Sequence, residues 1–343
     1  MERARSTYDV TAFLTASTSV QEFSKVFEGL SALGRQGRFR LRIVPSHEES
    51  TPRVLLLDVR KRDGAERSIA IDIADDVQIL DPASLERVHA YFKRSLCAET
   101  RLSREQAPKV RPFGMNNPAI RPRTALSVLR ARLGTGRNLR ELGVDARQLF
   151  ALPAPQAFEH SPDEPAEPLV LFQTRLWEPR PTDPDAEAIN AERVVLVRTL
   201  RAAFGDRFLG GVIPTPFARA HFPDVITSLP FAMRAYPRLL RRPLVAVYSR
   251  GLLDSLAFKM SEYLAASRCI VAQPPKTTLP ASLIAGRNFL PFETPDDCVA
   301  RCEELLSRPD AAAAMRRSNW DYYQNSVEPS AHLGSILEQA FRD

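Results

Sequence analysis

The sequence predicts an α/β protein made of two doubly wound, Rossmann-like units, and three observations lead there. Short apolar runs alternate with amphipathic stretches twice along the chain, a pattern that buries strands of a mostly parallel sheet under helices. A proline-rich and acid-rich stretch, Ala151–Pro168, separates the two series and reads as a linker. The 343 residues, 44% hydrophobic and 26% charged, are enough for substantial cores.

In the first series, Tyr8–Thr15 reads as a strand and Val20–Leu33 as a helix, with apolar residues at 20, 23, 26, 27, 30 and 33. Gly34 and Gly37 break the chain before a second strand, Phe39–Val44. Val54–Val59 and Ser68–Asp72 add strands, and the charged segment Lys61–Arg67 between them reads as a hairpin or loop. The acids of Ile71–Asp81 suit either a metal or acceptor site, or a solvated loop with a helix cap. Leu85–Arg94 reads as a helix or a strand–helix junction. Asn116 and Asn117 either line a cleft or form a turn before Pro118. Residues 121–149 are helix-prone and rich in arginine, which is either a solvated face or one that meets an anionic acceptor or lipid head groups.

The second series starts with a strand at Leu169–Gln173. A long amphipathic helix, Ala188–Phe204, a strand, Phe208–Ile213, and a short helix, Tyr236–Leu240, come next. Then come strands Val245–Tyr248 and Cys269–Ala272, a run at Asn288–Phe292, and helices at Asp297–Leu306, Ala311–Tyr323 and Pro329–Arg342. The order β-α-β-α-β-α-β is that of a Rossmann-like unit, yet no G-x-G-x-x-G occurs, which speaks against a dinucleotide oxidoreductase.

Charge and cysteine usage narrow the class. The net charge of +6 comes from 47 basic and 41 acidic residues in a mixed pattern, without the basic, aromatic-interleaved stripe of a nucleic-acid binder. Only six of the basic residues are lysines, so a lone arginine says little and a lysine says more. The four cysteines show no metal-binding spacing and read as buried residues of a reducing cytosol. No apolar segment near eighteen residues and no signal-peptide pattern is found, so a cytoplasmic location is expected. A peripheral contact with the inner face of a membrane stays open.

The chemistry concentrates in Val245–Ala272, which reads as strand, loop, helix, strand. Asp254 or Ser255 is expected to cap a helix of about three turns, with Leu256, Met260, Tyr263 and Leu264 on its inner arc. Ser255, Lys259 and Glu262 share a separate polar stripe. The loop Ser249–Asp254, with Gly251 in it, lies where open α/β sheets bind ligands, beyond the carboxyl end of a strand.

Asp254 and Glu262 stand eight apart, followed by Tyr263-Leu264-Ala265-Ala266-Ser267 and then Ile270-Val271-Ala272. This resembles the acid-x7-acid motif of the group-one, retaining superfamily of GT-B glycosyltransferases, with Asp where the first acid is usually Glu and Ser267 where glycine is common. The resemblance implies two Rossmann-like domains facing a cleft. Residues 1–150 would be the acceptor side, 151–168 the linker and 169–328 the sugar-nucleotide domain, and 329–343 a terminal helix returning to the first domain. It implies that Asp254 approaches the donor sugar and Glu262 holds the ribose. Thr174-Arg175-Leu176 resembles the family's G-R-L, so Arg175, and Arg180 five residues on, would grip the diphosphate, with Lys259 as a further phosphate ligand. Asp254 and Lys259 are thus the expected catalytic residues, and Arg175, Arg180, Gly251, Ser255 and Glu262 the expected donor-binding ones.

The expected activity is metal-independent, hexosyltransferase-type transfer from a nucleoside-diphosphate sugar to a glycan, lipid-linked or small-molecule acceptor, without a cofactor and without a nucleic-acid partner. Positioning and charge stabilisation of the leaving diphosphate would carry it. The alternatives are a sugar-nucleotide epimerase of the same fold and a catalytically silent sugar-nucleotide or glycan-binding module.

Overall fold

The computed structural model describes residues 8–48, 51–181 and 183–342. They form two α/β units: residues 1–156, 277–281 and 324–343 belong to the first, residues 157–276 and 282–323 to the second.

Period-two alternation sets the first sheet. β1 (Tyr8–Leu14) buries Val10, Ala12 and Leu14 and turns Asp9, Thr11 and Phe13 to the opposite face. The following helix, α1 (Ser24–Arg35), starts one turn later than the apolar spacing from Val20 predicts, because Val20–Phe23 forms a turn first. β2 (Phe39–Pro45) then pairs parallel to β1. β3 (Val54–Lys61) runs antiparallel to β1, and a hairpin with Gly64 at φ +93° joins it to β4 (Glu66–Asp72). The sheet is therefore mixed, with β3 its reversed strand.

α2 (Pro82–Arg87) is capped by Asp81, whose carboxylate accepts from Ser84 N–H at 3.0 Å. β5 (Ala90–Lys93) comes after it, so Leu85–Arg94 is a helix end followed by a strand, the reverse of a strand–helix junction. All four residues of β5 are buried, which decides for a central strand. β6 (Val110–Pro112) completes the order β2-β1-β3-β4-β5-β6. The acids after β4 split in role. Asp72 is interior, 3.1 Å from the fully buried Lys93 ammonium, and accepts from the Tyr91 hydroxyl at 2.8 Å. Asp81 is the helix cap.

α3 (Pro122–Leu133) and α4 (Leu139–Ala151) carry the arginine-rich stretch. Arg132 is interior, not solvated: it binds Asp145 at 2.8 Å and donates to the carbonyls of Thr15 and Thr18. Asn116 and Asn117 are buried as well, and Asn116 Nδ2 donates to Glu22 O at 3.0 Å.

The two units divide between Gln156 and Ala157, inside the proline-rich stretch, and parts of that stretch pack into each unit. α4 runs to Ala151, and Leu152 lies in the core of the first unit. Phe158 and His160 are buried in the second unit, where His160 N–H donates to Ala265 O and Ser267 Oγ donates to His160 O at 2.5 Å. Arg316 holds the Glu164 carbonyl at 2.6 Å. Backbone groups of this segment pair both with other backbone groups, as in Ile120 N–H to Pro153 O, and with the side chains of Ser267 and Arg316.

The second unit is parallel throughout. β7 (Glu167–Thr174), α5 (Ala186–Phe204), β8 (Phe208–Val212), α6 (Pro216–His221), α7 (Tyr236–Leu240) and β9 (Pro243–Tyr248) are followed by α8 (Lys259–Ala265) and β10 (Cys269–Ala272). β11 (Leu290–Pro291), α9 (Pro295–Ser307) and α10 (Pro309–Tyr322) close it, with strand order β11-β10-β9-β7-β8. At Gly210, φ +152°, a Cβ would stand 2.0 Å from Phe172 O, so glycine lets β8 lie against β7. From β7 the chain winds outward to β8 and then turns back through β9 to β11. The reversal lies between β7 and β9.

α11 (Pro329–Gln339) returns to the first unit and packs on α1. Leu333, Ile336 and Leu337 are buried there, and Gly29 admits the approach, since a Cβ would sit 2.2 Å from Pro329 O.

Candidate donor site of the second unit

Where strand order reverses, the carboxyl ends of two neighbouring strands leave a crevice between their loops. In the second unit these are the loops after Thr174 of β7 and after Tyr248 of β9. Arg193 of α5 holds both. Its buried guanidinium donates to Arg175 O at 2.7 Å, Arg250 O at 2.6 Å and Ser249 Oγ at 3.1 Å, and stacks 4.2 Å from the Trp177 ring centroid. Burial lowers its pKa to about 10.

The loop after β9 departs from the helix cap expected at Asp254 or Ser255. Leu252–Asp254 is a single 3₁₀ turn, with Leu253 and Asp254 both at φ +55°. Gly251 N–H donates to Ser255 O at 3.0 Å and Ser255 N–H to Leu252 O at 3.0 Å, closing a tight loop. A Cβ at Gly251 would stand 2.7 Å from Ser255 O and Oγ, so glycine is required there for space. The helix begins only at Lys259 and is seven residues long. Gly251 and Ser255 thus shape the loop, and free N–H groups of a helix starting at 255 are absent. Leu256 is buried but lies before the helix.

Asp254 is held by two cations, Lys276 at 2.6 Å and Arg250 at 3.1 Å. Burial pushes its carboxyl upward, but Lys276 and Arg250 outweigh this and keep it below the usual carboxylate range. Arg250 also binds Glu192 at 2.8 Å and reaches Asp185 at 3.5 Å, and Asp185 accepts from Leu253 N–H at 2.8 Å. Asp185 thereby anchors the left-handed turn.

Lys259 and Glu262 face each other on the first turn of α8, 3.5 Å apart, with side chains 29% and 13% exposed. The Lys259 ammonium sits 3.1 Å above the Tyr236 ring centroid. Burial lowers the Lys259 pKa, with Glu262 opposing and Arg175 reinforcing the shift. Glu262 Oε2 is buried and makes no hydrogen bond among the described residues. Tyr236 and Tyr263 pack beside this pair, both buried, and burial raises both hydroxyls.

Of the residues expected from the sequence, Lys259 and Glu262 come together, while Arg175 is exposed just after β7 and acts on Lys259 only through its charge. Arg180 is exposed farther along the same loop, where its carbonyl accepts from Asp183 N–H. Arg193, Arg250, Asp185 and Tyr236 were not singled out from the sequence. Arg193 and Asp185 lie on or before α5, and only the fold brings them to the crevice. Among the described residues no three His, Cys, Asp or Glu side chains converge so as to hold a metal ion, and no helix is long and apolar enough to cross a membrane.

No protein-family profile and no curated protein matches the sequence. Solved structures do. The C-terminal domain of a glycosyl transferase group 1 family protein (LpcC) from Francisella tularensis is 13% identical, over 50% of this chain and 95% of that one, with a TM-score of 0.34. UDP-GlcNAc 2-epimerase from Neisseria meningitidis is 13% identical over 75% of this chain and 63% of its own, with a TM-score of 0.38. Sucrose-phosphate synthase from Thermosynechococcus elongatus is 8% identical over 96% and 98%, with a TM-score of 0.40.

Proposed function

We propose that this chain is a glycosyltransferase whose second unit binds a nucleoside-diphosphate sugar in the crevice after β7 and β9. The observation that carries the reading is Glu262. A half-buried carboxylate whose inner oxygen is faced by the Lys259 ammonium at 3.5 Å, too long and poorly aligned for a full hydrogen bond, fits two ribose hydroxyls that would supply closer donors. Lys259 and Arg175 then face the diphosphate, Arg175 with a guanidinium fork suited to phosphate oxygens. Charge neutralisation of the departing diphosphate by these groups is the chemistry the site offers. The acceptor would be a glycan, a lipid-linked sugar or a small molecule.

Asp254 favours a second reading. Its carboxylate is already neutralised by Lys276 and Arg250, so it approaches a sugar only by releasing one of them. If it never does, the site binds a sugar nucleotide without turning it over. Calorimetric titration with a panel of nucleoside diphosphates, followed by incubation with the corresponding sugar nucleotides, separates the readings. Micromolar binding with slow release of free nucleoside diphosphate supports the transferase. Binding with intact donor after long incubation supports the module, and no binding of any nucleotide removes both.

A further inference from the structure

On one face of the first sheet, side chains of β2, β1 and β3 stay exposed or half-buried among the described residues, while α2 packs over Ala70 of β4 at one end. Registers place its outward side chains in three cross-strand rows. The outermost row is Arg40, Asp9, Arg60 and Glu66, charges of alternating sign, with Arg60 and Glu66 ion-paired. The middle row is Arg42, Thr11, Asp58 and Ser68, in which Arg42 donates to Thr11 Oγ1 at 3.2 Å and Ser68 to Asp58 at 2.7 Å. The inner row is Val44, Phe13 and Leu56, all half-buried. A sheet that meets water normally shows a polar face. This one grades from charged to apolar within three residues.

Two hollows of about 460 and about 480 Å³ share Phe13, Asp58 and Ser68 and so form one groove along this face. Its floor is the Phe13–Leu56 row. Its lining also carries Asp58, Ser68, His47 and Arg87. The two linings carry four arginines (Arg42, Arg60, Arg67 and Arg87) against four acids (Asp9, Glu48, Asp58 and Glu66), so their formal charges balance and select neither a polyanion nor a polycation. A ligand that complements it is neutral, has an apolar face for the floor, and carries donors and acceptors for carboxylate, hydroxyl and guanidinium groups alike. A pyranose ring has this chemistry: axial C–H groups on one face, hydroxyls around the rim.

We propose that this groove is a binding site for a neutral oligosaccharide, separate from the crevice of the second unit. It does not depend on the donor-site reading. Phe13 supplies the platform, and Asp58 is the acceptor for a sugar hydroxyl.

The test is titration of the full chain with neutral malto-, cello- and chito-oligosaccharides by calorimetry and ligand-observed NMR. The expected result is saturable binding of at least one series, weakened tenfold or more by Phe13→Ala and at least fivefold by Asp58→Ala. The Asp58 variant, at an exposed position, covers the case in which Phe13→Ala fails to fold. Glu262→Ala should leave this binding unchanged, which keeps it distinct from the donor site. Absence of binding to all three series at millimolar sugar would overturn the proposal. So would binding insensitive to both groove variants, binding abolished by Glu262→Ala, or a Phe13-dependent dimer in light scattering without sugar binding.

Discussion

Glu262 and Lys25 show how burial makes single ionisable groups informative. On the proposed donor-site reading, Glu262→Ala removes the acceptor of two ribose hydroxyls. It should weaken nucleoside-diphosphate binding by about 1–3 kcal/mol, read by calorimetry, with a melting temperature little changed. Equal affinity for the variant would take Glu262 out of the site. Lys25 is fully buried, donates to Met115 O at 2.5 Å, and has its pKa lowered to about 7, chiefly by desolvation. Between pH 7 and the ordinary lysine value near 10.5 the unfolded chain binds more protons at this residue than the folded one, so Lys25 makes stability rise with pH. Urea midpoints of the Lys25→Met variant should therefore rise less than those of the parent between pH 7 and 9.

The acid–x7–acid spacing and the rarity of lysine made the neighbourhood of Lys259 and Glu262 legible. The backbone between the two acids was not. Leu253 and Asp254 adopt left-handed φ without glycine, and what stabilises them is Asp185, sixty-eight residues away from Leu253. No local pattern announces such a partner.

Among elements, alternation and apolar runs made the doubly wound order readable, since strand length and periodicity are local properties. Strand direction is not local. β3 runs against its neighbours, and the sequence marks only the hairpin that follows it. Composition marked Ala151–Pro168, where the units divide, but not that Arg316 of α10 binds its Ser161 and Glu164 carbonyls. α5 is coupled to the crevice by Arg193, which bridges the ends of β7 and β9. Arg193→Ala would leave two carbonyls and a hydroxyl without their charged donor, a loss of about 3 kcal/mol or more. Urea unfolding should show that loss, while Arg193→Lys, retaining one bond, should fall between.

For the whole molecule, the first unit is discontinuous in sequence. Its core holds Leu333, Ile336 and Leu337 of α11 beside Phe27 and Leu30 of α1. A chain cut after Val327 forfeits burial of three large aliphatic side chains, on the order of 5 kcal/mol in the first unit. Dye binding to newly exposed apolar surface and a lowered first unfolding transition would register it. An unchanged transition would mean that α11 is dispensable.

The return of α11 also sets a timetable for the nascent chain. The first unit, although translated first, stays an incomplete core until residues 324–339 emerge, whereas the second can close once residue 323 has been made. Birth order and maturation order are thus inverted. Protease pulses on stalled ribosomes should find segment 157–323 resistant while Tyr8–Ala151 is still cleaved.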